Sequence, residues 1–304
     1  MFCKKKATLL VAILCVFAVS FVACSKKDAV SSGAATSADG ATSQEVTKAD
    51  KKAEEKKAKA EEKKAKESKK GSSKVKLPTT PNAEEDFIVK LTEDGTGAVV
   101  TEYKGKSGGV YVPATIQGLP VKEVSFWIDD DGVETAVVVS DGCTSVSISG
   151  KNIKYISLPD SVTEYSLSGT RITEFEVPAG VKEVGSLPPT LEKISFRGAP
   201  EKIKKNAFKE NTKIKTITLP DSIKSIGDSA FHKCTALESI NFPASLEWIG
   251  FSAFGRNENL KEIIIPDSLT SLGFSEVVDV FYGCRSLPLA TQARLKQLGY
   301  KGSF

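Results

Sequence analysis

Near the end of the chain an apolar pair recurs ahead of a proline at intervals of 23 residues: Ile217, Leu219 and Pro220; Ile240, Phe242 and Pro243; Ile263, Ile265 and Pro266. Counting back from Pro220 by 23 and then by 19 residues reaches Arg197, Pro178, Pro159 and Ser140, which makes seven copies. The residue before each marker is apolar throughout: Val139, Leu158, Val177, Phe196, Leu219, Phe242 and Ile265. So is the residue three before it: Val137, Ile156, Phe175, Ile194, Ile217, Ile240 and Ile263. Apolar residues two apart face one side of a strand. A proline ends the strand, having no N–H for the next ladder bond. A repeat of this length predicts a solenoid, in which each unit buries its apolar face only against its neighbours. Such a fold offers long faces for binding rather than one deep reactive pocket.

Each late unit has further fixed positions. After Leu219 and Pro220 come Ile223, Ile226, Gly227, Ala230, Phe231, Cys234, Leu237 and Ile240; the next unit has Leu246, Ile249, Gly250, Ala253, Phe254, Asn257 and Leu260. This pattern resembles the BspA-like, bacterial surface-antigen class of leucine-rich repeat, over Val137 to Leu287. The 19-residue units lack the Ala-Phe and Cys/Asn elements, and the last unit carries four extra residues before Phe281 and Cys284. The resemblance implies parallel strands joined by short helical turns, and export or surface display. Several members of the class are adhesins for host or matrix proteins.

Read as chemistry, Ile223 and Ile226 form a second extended piece, and Gly227 turns the chain. Ala230 and Phe231 begin a helical turn whose Phe plugs the core. Asn or Cys then fills a buried corner, where either can donate to an unpaired backbone group. Stacked ends need caps. Phe87–Leu91 and Ala98–Tyr103 flank Asp94 and Gly95, a hairpin signal. Tyr111, Pro113, Val121 and Val124 suit an atypical first coil. Pro288 and Gly299 bracket a short amphipathic helix over the last coil.

The N-terminus is of another kind. Lys4, Lys5 and Lys6 precede an uncharged, mostly apolar run, Ala7–Ala23, which reads as an export signal or an uncleaved anchor. Phe21, Val22, Ala23 and Cys24 resemble a bacterial lipobox, which implies acylation of Cys24 and a lipid-anchored protein in the bacterial envelope, at the outer membrane or cell surface. Residues 24–81 lack aromatics and cannot form a core. Within them the seven residues Ala53–Lys59 repeat at once as Ala60–Lys66, with Glu55–Lys59 and Glu62–Lys66 in the favourable i,i+4 order. A charged helical stalk over 48–70 follows from these strong helix formers. The expected organisation is a signal peptide (1–23), a tether with the stalk (24–81), an N-terminal β cap (82–135), the solenoid (136–287) and a C-terminal cap (288–304).

Charge divides along the same line. Residues 24–81 hold 15 Lys against 9 acidic residues, whereas residues 82–304 hold 24 basic against 29 acidic. The folded part is therefore not built for nucleic acid; the Lys excess either solubilises the stalk or leans on anionic lipid or wall polymer.

Little supports catalysis. His232 is the one histidine and falls in a variable slot shared with Lys209, Gly255 and Tyr282, which reads as surface. A Ser-His-Asp set or a histidine-based zinc site is not expected. Asp129–Gly132 resembles part of a calcium loop, but Trp127 and Val138 stand where EF-hand ligands belong, so it reads as a solvated loop. Cys143, Cys234 and Cys284 read as small core residues. No cofactor or metal is implied.

Surfaces remain. Tyr155, Glu174, Lys193, Thr216, Ser239 and Glu262 form one outward column of the strand face, and Ser157, Glu176, Ser195, Thr218, Asn241 and Ile264 the other. They make either a merely soluble face or a polar docking surface. Trp248, Phe251 and Phe274 form an aromatic patch, either exposed as a partner site or covered by 274–280. Together these features describe a mainly β leucine-rich-repeat solenoid, not an enzyme, that binds an unidentified protein or glycan, host or matrix material included. The alternative is a structural envelope component whose stalk makes the contacts.

Overall fold

The computed structural model describes residues 75–129, 131–273 and 279–304. The expectations on the leader 1–23, Cys24, the stalk at 48–70 and Phe274 fall outside these residues. A hairpin of β1 (Phe87–Leu91) and β2 (Ala98–Tyr103) comes first. There follow β3 (Gly109–Val112), β4 (Thr115–Ile116), β5 (Leu119–Trp127), β6 (Thr135–Val139), β7 (Ser145–Ser149), β8 (Ile153–Ser157) and β9 (Glu164–Ser166). Then come β10 (Glu174–Val177), β11 (Glu183–Val184), β12 (Lys193–Phe196), β13 (Lys202–Ile203), β14 (Thr216–Ile217) and β15 (Ser225–Ile226). The chain continues through β16 (Ser239–Ile240), β17 (Trp248–Ile249) and β18 (Ser271–Leu272) to the helix α1 (Leu289–Gln297).

The strands wind into a solenoid of about eight turns. Two parallel columns run along it. One takes the marker strands in the groups β3-β6-β8, β10-β12 and β14-β16, and Glu262 bridges onward from Ser239. The other takes β2-β5-β7-β9 and then β11-β13-β15-β17-β18. Marker residues stack on their counterparts: Val137 on Ile156, Phe175 on Ile194, Ile217 on Ile240. All are buried but Ile194, Phe196 and Ile265, which are half-buried. Each fully buried Ile, Leu or Val contributes roughly 1.5–3 kcal/mol of transfer free energy, so the stack of coils carries the stability. The atypical first coil is present: β3 pairs with β6 through Val112 and Val139, which puts Pro113 in the marker row.

The longer coils add a third side. Phe208, Phe231, Phe254 and Phe281 stack through the core with centroids 4.8, 5.1 and 5.4 Å apart, each pair within 13° of parallel. Around each ring the helical turn is realised as linked i to i+3 turns, with Asn206 and Glu210, Ser229 and Lys233, and Ser252 and Arg256 all at positive φ. Alternate N–H groups are thereby left to donate to the next coil, as Phe208 does to Ala230 O at 2.7 Å and Phe231 to Ala253 O at 2.7 Å. The corner residues donate backwards: Cys234 Sγ to Phe208 O at 3.0 Å, Asn257 Nδ2 to Phe231 O at 2.9 Å and Cys284 Sγ to Phe254 O at 2.9 Å.

Gly227 opens a turn, its carbonyl accepting from Ala230 N at 3.2 Å, and it has a second role. A Cβ there would stand 2.6 Å from Lys205 N, and one on Gly250 would stand 2.6 Å from Asp228 N. Neither residue has a left-handed backbone. The glycines recur because neighbouring coils touch backbone to backbone at this row.

Both ends are closed. At the start Asn82 takes the edge of β3, its N–H donating to Tyr111 O at 3.0 Å and its Oδ1 accepting from Tyr111 N at 2.7 Å. The antiparallel β1-β2 hairpin, with Gly95 at φ 68°, closes the other column. Such covering protects strand edges from pairing with other chains. At the far end α1 buries Leu295, and Tyr300 packs edge-on to Phe281 at 6.1 Å.

Candidate functional site

The marker-strand column turns its alternate residues outward, so Tyr155, Glu174 and Lys193 lie side by side in one row and Ser157, Glu176 and Ser195 in the next. Together with Arg197 they line an open depression on the sheet. Two of the predicted acidic residues, Glu174 and Glu176, thus meet Tyr155 there. The floor is made of backbone and the apolar residues Ile156, Leu158 and Phe175.

Arg197 organises this region. It stands where most coils have the marker proline. Its Nε lies 3.2 Å from Asp160 Oδ1 and 3.5 Å from Glu176 Oε2, and its Nη2 donates to Leu158 O. Asp160 also accepts from Ala179 N at 2.9 Å. One guanidinium therefore ties three successive coils, using the planar fork that a lysine lacks. Lys193 Nζ stands 3.8 Å from Glu174 Oε2 on the same face. The result is an aromatic ring among paired opposite charges, able to exchange its ion pairs for a partner's.

The other predicted surface residues do not join it. Ile264 is 84% exposed at the far end of the same face. Trp248 lies in β17, in the second column, half-buried between Ser225 and Ser271. Phe251 is half-buried, and its N–H donates to Asp228 Oδ1 at 2.9 Å. The aromatic patch is thus split from the polar face, and its two described members are only partly accessible.

His232 is not the free surface residue that its variable slot suggested. It is half-buried, and its Nδ1 lies 3.0 Å from Ser252 Oγ. Burial, with Lys233, Arg256 and Lys209 nearby, holds its pKa below the ordinary imidazole value. Ser252 is itself buried, at a left-handed position repeated by Asn206 and Ser229. The pair links two coils across the absent side chain of Gly255, whose Cβ would stand 2.9 Å from His232 Nδ1. Cys143, Cys234 and Cys284 are buried free thiols. Burial pushes them up to about 11, 12 and 12, away from nucleophilic thiolate. Among the described residues no group of three or more His, Cys, Asp or Glu could hold a metal ion.

Known proteins agree with this architecture. Residues 189–300 match the family described as BspA type leucine rich repeat region, in six copies. A leucine-rich repeat protein of T. pallidum is 25% identical with a TM-score of 0.51, over 74% of this chain and 99% of its own. A leucine-rich repeat protein from Bacteroides ovatus is 22% identical with a TM-score of 0.42, over 69% of this chain and 70% of its own. No curated protein matches the chain. The repeat match and the fold place this chain with leucine-rich-repeat proteins, which are typically non-enzymatic binding modules, and its residues 189–300 are a BspA-type leucine-rich repeat region.

Proposed function

We propose that the chain is a lipid-anchored, envelope-displayed binding module whose first-column face docks a protein partner without chemistry of its own. The observation that carries this reading is the charged depression around Tyr155, Glu174, Glu176, Lys193 and Arg197. A half-exposed tyrosine ringed by charges of both signs suits a protein surface that is itself amphoteric. The lipobox resemblance at Cys24 supplies the anchor, and the Lys-rich tether the distance from the membrane. Adhesion to host or matrix protein is the role this arrangement serves.

Surface plasmon resonance of the full chain against purified matrix and envelope proteins tests the docking face. Tyr155→Ala and Glu176→Lys each weaken binding on the order of tenfold or more, as loss of a central anchor does. Binding untouched by both would refute the face assignment. Radiolabelled palmitate incorporated by the wild type and lost in Cys24→Ala tests the anchor.

A further inference from the structure

The second column has an outward face unlike the first. In β5 the inward residues are Val124 and Phe126, so Ser125 and Trp127 point out. Register places Ser125 beside Ser147 and Ser147 beside Ser166, while Trp127 lies beside Ser149. Three successive strands thus present a level field of serine hydroxyls, with one indole standing at its border. Trp127 is 69% exposed, the most exposed aromatic ring among the described residues. Its ring is among the largest apolar surfaces a side chain can offer a ligand. The charged residues Glu123 and Glu164 flank Ser145 at the opposite border of the same rows.

Each part of this face limits the occupant. The field itself is uncharged, and its rim carboxylates repel polyanions. Serines are short, so the face stays flat and gives no pocket for a protruding side chain. They are also both donors and acceptors, which matches a ligand bearing many hydroxyls. An exposed indole offers a platform for the C–H face of a sugar ring. Strands about 4.8 Å apart repeat the hydroxyls across β5, β7 and β9, which favours a short stretch of an extended, repeating chain over a compact molecule.

We propose that this face, formed by the serines of β5, β7 and β9 with Trp127 at its border, binds a neutral, flat polysaccharide of β-linked hexoses. It is separate from the protein-docking depression and does not depend on it. The test is a pull-down of the full chain with insoluble cellulose, chitin and β-mannan, followed by intrinsic-fluorescence titration with the matching soluble oligosaccharides. The expected result is retention by at least one of the three, with a blue shift of Trp127 emission. Trp127→Ala lowers affinity on the order of tenfold or more, and Ser147→Glu, which puts a charge and bulk into the field, abolishes retention. Circular dichroism of both variants shows whether they fold; the residues are exposed, and unchanged spectra are expected. Tyr155→Ala leaves retention unchanged, so failure of the docking proposal and failure of this one are distinguishable. Retention by none of the three polymers, binding confined to heparin or to a peptide, or wild-type retention by Trp127→Ala would each overturn the proposal.

Discussion

Arg197 Nε lies 3.2 Å from Asp160 Oδ1, although the two residues are two coils apart. The reach is possible because the intervening coil has only Ala179 at that row, and its N–H also binds Asp160. Replacing Arg197 by Ala removes the clamp and leaves the Leu158 carbonyl without that donor. The pair is partly solvated, which limits the ion-pair contribution. The expected loss is about 1 kcal/mol, or about 2–4 °C in Tm, with Arg197→Lys recovering little of it. Thermal unfolding of the three chains checks this.

The phenylalanine ladder should be far less forgiving. Phe231 is completely buried and stacked on both sides, by Phe208 and Phe254. Phe231→Ala leaves a cavity between coils, at a cost of about 3–5 kcal/mol. Phe231→Leu refills part of it and costs less. Urea denaturation of the two variants should rank them in that order.

The glycine row sets the coil spacing. Gly250→Ala drives a methyl group to 2.6 Å from Asp228 N, where backbone must move to make room. Overpacking of this kind costs typically 1–3 kcal/mol. Gly302→Ala, whose Cβ meets the tip of the Asp279 side chain near the end of the chain, serves as the comparison and is expected to cost less. Equal Tm losses in the two variants would contradict the close-approach role.

The buried thiols give a pH signature. Cys234 and Cys284 move from the usual 9.0 up to about 12 because burial disfavours the thiolate. A raised folded value means that their stabilising contribution is complete below pH 9 and is lost as pH rises toward 12. Within that window the slope is on the order of 1 kcal/mol per pH unit for each thiol. Tyr165, also raised by burial, adds to the fall above pH 10. The Tm should therefore be level from pH 7 to 9 and decline above it, and Cys234→Ala together with Cys284→Ala should flatten the decline.

Much of the fold was legible because the marker residues obey two periods at once, two residues along a strand and one coil between strands. Val137 through Ile263 could be assigned inward from that alone, and so could the outward rows that contain Tyr155 and Glu176. The corner role of Asn257 and Cys284 followed from their donor chemistry. Other features obey no period. Arg197 stands at a marker position, and only the folded structure shows it reaching across two coils. Ser252 and His232 belong to different units, and nothing in their spacing brings them together. Trp127 sits before the clearly repeating part, where no period assigns an outward row. The second role of Gly227, close contact between coils, is hidden because a glycine needed for contact looks the same in sequence as one needed for a turn.

Both proposed faces require that the coils stack in one unbroken register, and distances between paired spin labels measure that directly. Labels at Glu174→Cys and Glu262→Cys are four coils apart in one row, so their separation should be about 19 Å, from strands about 4.8 Å apart. Labels at Glu176→Cys and Tyr111→Cys lie three coils apart in the neighbouring row of the same column and should give about 14 Å. The account predicts distances that grow in proportion to the number of coils between the labels. Distances that do not follow coil number would contradict it, and with it the existence of either face.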